Sequence, residues 1–183
     1  DHKILSVYTQ PPKKSNRGQK INVSAIHKYS NSENLSVRHP ENLDRKEFEY
    51  LNNLKPDVVV VVAYGKIIPN FFLENKKILF INIHASLLPK WRGAAPIQRS
   101  IIEMDEETGI SIMKIIPKLD AGPLLMQKKV VIQENENCET LSNKLSLLGS
   151  KLILESLDII EKKNHKFIDQ NEGLATYAKK IHK

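Results

Sequence analysis

Cysteine is almost missing from this 183-residue chain, where Cys138 is the single one. No internal disulfide can form, and no zinc site built on several cysteines exists. Long apolar runs are missing too. The longest, Val58 to Tyr64, falls far short of the ~20 residues that cross a bilayer as a helix. Glycine is scarce, and none of the seven lies in a G-x-G-x-x-G or G-x-x-x-x-G-K-[ST] string. A nucleotide-dependent enzyme of either class is therefore not expected. No signal peptide opens the chain, so secretion is unsupported. What is there has a globular balance, 40% hydrophobic and 27% charged. At roughly 150 residues per domain the length fits one domain and a short tail, which can bury most of its apolar surface without a metal or disulfide. The expectation is an intracellular, globular enzymatic or binding domain.

Acids are missing locally, and this gives the net charge of +7 its shape. From His2 to Ser32 there are six bases, Lys3, Lys13, Lys14, Arg17, Lys20 and Lys28, and no acid. From Asn75 to Ile102 there are five more, Lys76, Lys77, Lys90, Arg92 and Arg99, again with none. One reading is a solvated lysine-rich surface. The other is a polyanion partner, with RNA ahead of a membrane because no basic amphipathic helix accompanies the charge.

Periodicity places the elements. Ile4 to Tyr8 reads as a strand stopped by Pro11-Pro12, and the stretch to Gln19 as a polar, basic loop. Ile21 to Tyr29 is weakly helical, and Leu35 to Val37 is a short strand. Asn42 or Asp44 caps a helix carrying Phe48, Leu51 and Leu54. Asp57 to Ala63 shows no alternation, which suits a strand covered on both faces of a parallel sheet. Ile78 to His84, Ile110 to Ile116 and Leu124 to Ile132 follow as strands, with a helix over Ala94 to Met104. Glu139 to Lys163 is a long helix capped by Thr140 or Asn137, with a stripe at Leu141, Leu145, Leu148 and Leu152 that Ser156 interrupts. Strands alternating with helices predict an α/β fold, with a mostly parallel sheet and helices on both faces. Such sheets bind ligands beyond the carboxyl ends of their strands.

The segment at one such end is dense in chemistry. In a strand, residues two apart share a face, so Asn82 and His84 project together, opposite Ile81 and Ile83. An amide can donate to a developing oxyanion and an imidazole can move a proton near neutral pH. The same spacing also fits a buried histidine held by a backbone carbonyl, with Asn82 a strand-end residue. Asp120, in Leu119-Asp-Ala-Gly122-Pro123, can orient His84 and stabilise its imidazolium, or be an ordinary turn residue. Ser86 has no base in sequence reach, which argues against a serine nucleophile. Cys138 at a helix start reads as incidental.

Together these strings carry a resemblance. Asn82-x-His84, Ser86-Leu-Leu-Pro89, Arg92-Gly-Ala-Ala-Pro-Ile-Gln98 and Leu119-Asp-Ala-Gly122 resemble the formyltransferases that use 10-formyltetrahydrofolate. Val61-Val-Ala-Tyr-Gly-Lys-Ile-Ile-Pro69 and Trp91-Arg-Gly-Ala-Ala-Pro-Ile-Gln-Arg99 are most similar to the branch that formylates initiator methionyl-tRNA. The resemblance runs from about Val7 to about Ile181. It implies a formyltransferase Rossmann-like fold, with Asn82, His84 and Asp120 catalytic. Ser86, Leu87, Leu88 and Pro89 would bind tetrahydrofolate, with Tyr64, Gly65 and Gly122 flanking the pterin. Lys13, Lys14, Arg17 and Lys20 would meet the tRNA. No metal is implied, no membrane is involved, and a cytoplasmic or organelle-matrix monomer is expected. The family's first strand-helix unit and its C-terminal barrel have no counterpart in these residues. The expected organisation is a catalytic domain over 1–175, incomplete at its N-terminus, then the start of a linker at 176–183. The alternatives are a formyltransferase acting on a small amine, or an inactive folate- or RNA-binding fragment.

Overall fold

The computed structural model describes residues 2–15 and 20–181. They fall into two compact units: residues up to Asp57 with Tyr64–Ile78, and Val58–Ala63 with Leu79 onward. Each is taken by itself.

The first unit opens with β1 (Val7–Tyr8). Next, β2 (Lys13–Ser15) and β3 (Lys20–Asn22) pair antiparallel, with Lys14 opposite Ile21. The basic segment expected as a loop therefore forms a short ladder on either side of residues 16–19. Its side chains are polar, so no apolar alternation marked it as strand. That ladder takes Ile21 and Asn22 out of the expected helix. Accordingly α1 (Ala25–Ser32) starts later, at Ser24, whose hydroxyl accepts from the His27 amide at 3.1 Å. β4 (Val37–Arg38) runs parallel to β1. α2 (Arg45–Leu54) is capped by Asp44, which accepts from Glu47 N at 3.0 Å, and ends at Lys55 with φ of 52° just before Pro56. α3 (Asn70–Leu73) brings in Phe71 and Phe72, whose rings meet Phe48 of α2 at 5.7 and 5.2 Å.

The second unit holds the larger sheet, ordered β5 (Val58–Val61), β6 (Leu79–His84), β8 (Glu107–Lys114) and β9 (Leu124–Val131). β5 and β6 pair parallel, whereas β6–β8 and β8–β9 pair antiparallel. The α/β class agrees with the sequence pattern, and the parallel pairing it predicted holds at β5–β6 and at β1–β4, whereas the other two pairs of this sheet run antiparallel. β5 lies at an edge of this sheet, so Val60 and Val62 are 38% and 56% exposed and not covered as expected. Between β6 and β8 lie β7 (Arg92–Gly93) and α4 (Pro96–Ile102).

α5 (Cys138–Glu161) covers the sheet. Asn137 accepts from Glu139 N and Thr140 N, and the Thr140 hydroxyl accepts from Asn137 N, so both sequence candidates serve one reciprocal cap. Leu141, Leu145 and Leu152 pack into a buried cluster with Ile81, Ile110 and Ile112. Gly149 lets the helix close on the sheet, since a Cβ there would stand 3.3 Å from Ile83 Cγ2. Ser156 continues the buried face after all, because its hydroxyl donates to Leu152 O at 2.8 Å and needs no water. Past α5, Ile168 exchanges two 2.8 Å backbone bonds with Leu124. A 3-10 turn (Glu172–Leu174) follows, and β10 (Tyr177–Ala178) pairs parallel with β7. Among the described residues, no helix is long and apolar enough to cross a membrane.

Candidate active site

β6 carries Asn82 and His84 to the end of the second unit's sheet, opposite Met113 and Ser111 of β8. Ile81 of the same strand lies in the core, so the alternation turns Asn82 and His84 away from it. His84 is 5% exposed. Its Nε2 lies 2.8 Å from the carbonyl oxygen of Trp91, and a ring nitrogen facing a carbonyl at that distance donates. Its Nδ1 lies 3.7 Å from Asp120 Oδ2, an ion-pair separation and not a hydrogen bond. The ring is thus oriented by a backbone carbonyl, and the carboxylate stands next to the nitrogen left free. The buried histidine held by a backbone carbonyl, one of the two readings the spacing allowed, matches this geometry.

Trp91 can offer that carbonyl because its backbone is left-handed, with φ of 63°. Three contacts hold it there. Its amide donates to Thr176 Oγ1 at 2.9 Å, its indole donates to Asp105 Oδ2 at 2.7 Å, and Lys90 pairs with the other oxygen of that carboxylate at 2.7 Å. Asp120 is also left-handed, at φ of 44°, and its Oδ2 accepts from Gly93 N at 2.8 Å. Gly122 is required by close approach: a Cβ there would lie 1.7 Å from Lys114 O.

The string from Ser86 to Pro89 divides into two kinds of residue. Ser86 and Leu88 are buried, and the Ser86 hydroxyl donates to Lys90 O at 2.5 Å. Ser111 on β8 donates to Ser86 O at 2.6 Å and accepts from Leu88 N at 3.0 Å. Gln127 on β9 donates to Leu88 O and to Ser111 Oγ, each at 2.8 Å. Most of the turn's backbone groups are therefore used internally. Leu87 and Pro89 are half-buried.

The other candidates lie in the first unit. Gln10 Nε2 donates to Tyr64 O at 2.5 Å, and Gly65 follows with φ of 75°. Burial pushes the Tyr64 phenol up from its ordinary range. Lys13 is exposed at the start of β2. Lys14 and Lys20 lie in the β2–β3 ladder, and Arg17 lies outside the described residues.

Sequence reasoning missed a buried polar bridge. The Arg92 guanidinium is fully buried, and it donates to Gln170 Oε1 and to both Glu172 oxygens. Arg92, and then Lys118 at 2.6 Å, hold the Glu172 carboxyl down at about 2. Glu172 in turn raises Arg92 further. Arg92 was visible only as part of a motif, and Gln170 and Glu172, some 80 positions away, carried no signal. Among the described residues, no cluster of His, Cys, Asp and Glu could hold a metal ion.

The second unit is thus an α/β sheet that carries Asn82 and His84 on one strand, with the Asp120 carboxylate 3.7 Å from the His84 ring. Residues 1–157 match the family described as formyl transferase, and the chain belongs to that family. It is 53% identical over 182 residues to a methionyl-tRNA formyltransferase of Pelagibacter ubique, covering 98% of this chain and 59% of that relative. The chain spans about three-fifths of the length of the curated relatives it matches. A crystal structure of phosphoribosylglycinamide formyltransferase from Bacillus halodurans shares the fold, with TM-score 0.73 at 22% identity over 88% of this chain and 82% of that one. The formyltransferase PseJ from Anoxybacillus kamchatkensis, solved with a UDP-linked formamido sugar and tetrahydrofolate, has TM-score 0.67 at 26% identity, covering 94% of this chain and 85% of that one.

Proposed function

We propose that this chain carries the catalytic part of an enzyme that moves the formyl group of 10-formyltetrahydrofolate to the α-amino group of initiator methionyl-tRNA. The observation that carries the reading is the His84 ring, fixed by Trp91 O at one nitrogen and facing Asp120 with the other, two residues along β6 from the Asn82 amide. The named activity of the 53% identical relative supports the acceptor, and tetrahydrofolate on PseJ supports the donor. The proposed setting is the cytoplasm, with the protein working as a monomer.

In this scheme the amine nitrogen attacks the formyl carbon and the carbonyl electron pair moves to oxygen. The Asn82 amide and the protonated His84 ring hold the resulting oxyanion. Collapse reforms the C=O bond and breaks the bond to N10 of the folate. The proton lost by the amine ends on N10, so tetrahydrofolate leaves with its nitrogen protonated. Nε2–H is committed to Trp91 O, so Nδ1 is the nitrogen that exchanges the proton. Asp120 beside it stabilises the imidazolium by charge. The scheme calls for no metal, because the formyl group is already activated on folate nitrogen. Leu87 and Pro89, the half-buried members of the string, are proposed to touch the folate. Lys13, Lys14, Arg17 and Lys20 are proposed to meet tRNA phosphates.

The test is formyl transfer from 10-formyltetrahydrofolate to charged initiator tRNA, run beside glycinamide ribonucleotide and an amino sugar nucleotide. Transfer to a small amine alone would replace the acceptor proposed here. Asn82→Ala, His84→Ala and Asp120→Ala should each slow transfer ~100-fold or more. Near-normal turnover in His84→Ala would end the assignment.

A further inference from the structure

Gln170 belongs to none of the motifs, yet it is 9% exposed and saturated with partners. Its Oε1 accepts from Nε and Nη2 of the buried Arg92, at 3.1 and 2.8 Å. Its Nε2 donates to Asp120 O at 2.9 Å and to Gly122 O at 2.7 Å. The orientation of the amide is therefore fixed, because oxygen must face the cation and nitrogen must face the two carbonyls. Glu172 grips the same guanidinium through both oxygens, so Arg92 is a fixed anchor. The loop that Gln170 holds is one that needs holding. Asp120 is a non-glycine residue in the left-handed region, a conformation that persists only where surrounding contacts impose it.

We propose that Gln170 is a positioning residue for Asp120. It pins the 120–122 backbone to the Arg92 anchor, so that the carboxylate reaches Gly93 N at 2.8 Å while standing 3.7 Å from His84 Nδ1. The consequence for turnover rests on the function proposed above, whereas the placement of the carboxylate does not.

One amide reports the carboxylate's position. Gly93 N–H donates to Asp120 Oδ2, whereas the flanking Arg92 and Ala94 amides donate to Thr176 O and Ala178 O, each at 2.9 Å. Gln170→Glu keeps an oxygen for Arg92 but turns another onto two carbonyl oxygens. Amide hydrogen exchange of this variant, read by NMR in the 183-residue chain, should show Gly93 exchanging about ten-fold faster. Arg92 and Ala94 should stay within about two-fold of the parent. Unchanged Gly93 exchange in the folded variant would overturn the proposal. So would equal loss at all three amides, which would make Gln170 a general anchor of the C-terminal segment. If Gln170→Glu does not fold, Gln170→Asn, too short to span Arg92 and both carbonyls, gives the same reading. Where transfer is measurable, kcat should fall about ten-fold, with KM for the folate within about two-fold. If the parent itself transfers no formyl group, the function proposed above fails while the exchange result still decides the placement of Asp120.

Discussion

Ser111 is the most economical place to test how the turn after β6 is held. Its side chain is fully buried and makes three bonds: to Ser86 O, from Leu88 N and from Gln127 Nε2. Ser111→Ala removes one small hydroxyl and leaves those three polar groups short of a partner. Ser86 O has no other partner among the described residues, whereas Gln127 keeps its bond to Leu88 O. Two buried groups left unsatisfied, at roughly 1–3 kcal/mol each, set a cost of about 2–6 kcal/mol. For a chain of this size, that corresponds to a fall in Tm of roughly 4–24 °C. Thermal unfolding followed by circular dichroism reads it directly. Gln127→Leu supplies the second side of a double-mutant cycle. The two changes should be non-additive, with the double variant less damaged than the sum, because both act on one network. A loss below about 1 °C for Ser111→Ala, or strict additivity, would refute the reasoning.

Three further outcomes follow from other parts of the chain. Gly122→Ala should give little folded protein, since its Cβ would lie 1.7 Å from Lys114 O and the clash is with backbone; soluble yield and urea midpoint check this. Glu172 is held at about 2 against an ordinary value of 4.5, so its contribution to stability is present above about pH 4.5 and is lost as pH falls through about 2. Glu172→Gln should flatten the urea midpoint between those two values and leave its slope at higher pH unchanged. Replacing Lys13, Lys14, Arg17 and Lys20 together with Ala should raise the Michaelis constant for tRNA and weaken its dependence on salt, with folate affinity unchanged. Titrations at two salt concentrations separate this from loss of folate affinity, which would place these residues at the folate instead.

The parts legible in the sequence share a physical cause. β6 announces itself because an apolar run ends in Asn82-x-His84, and period two then fixes which residues face one way. α5 does so through leucines spaced by three and four, and through Asn137 and Thr140, whose short polar side chains suit a helix start. Ser156 misled because a serine on an apolar stripe looks like a break, whereas a hydroxyl bonded to the preceding turn can be buried there. The β2–β3 ladder was illegible because its residues are mostly lysine, serine and asparagine, so the sequence shows no apolar alternation there.

The candidate site was legible residue by residue but not as a mechanism, for reasons of sequence distance. The motifs name Asn82, His84 and Asp120, yet they are silent on what holds each one. His84 takes its orientation from a main-chain oxygen, which no residue identity can signal. That oxygen points at the ring only because Trp91 is left-handed, and Trp91 is kept so by Asp105 and Thr176, 14 and 85 positions away. Asp120 is held through Gln170, itself held by Arg92, across separations of 50 and 78 positions. Arg92 sits in the string that most strongly marks the acceptor branch, which invites the reading that it binds substrate. Its complete burial excludes direct contact by the guanidinium as the chain stands. The cation instead couples the string to the C-terminal segment, and both to the loop that carries the carboxylate. Chemistry-bearing residues are thus concentrated in short motifs, while their geometry is set by long-range pairs outside them, and only a folded structure joins the two.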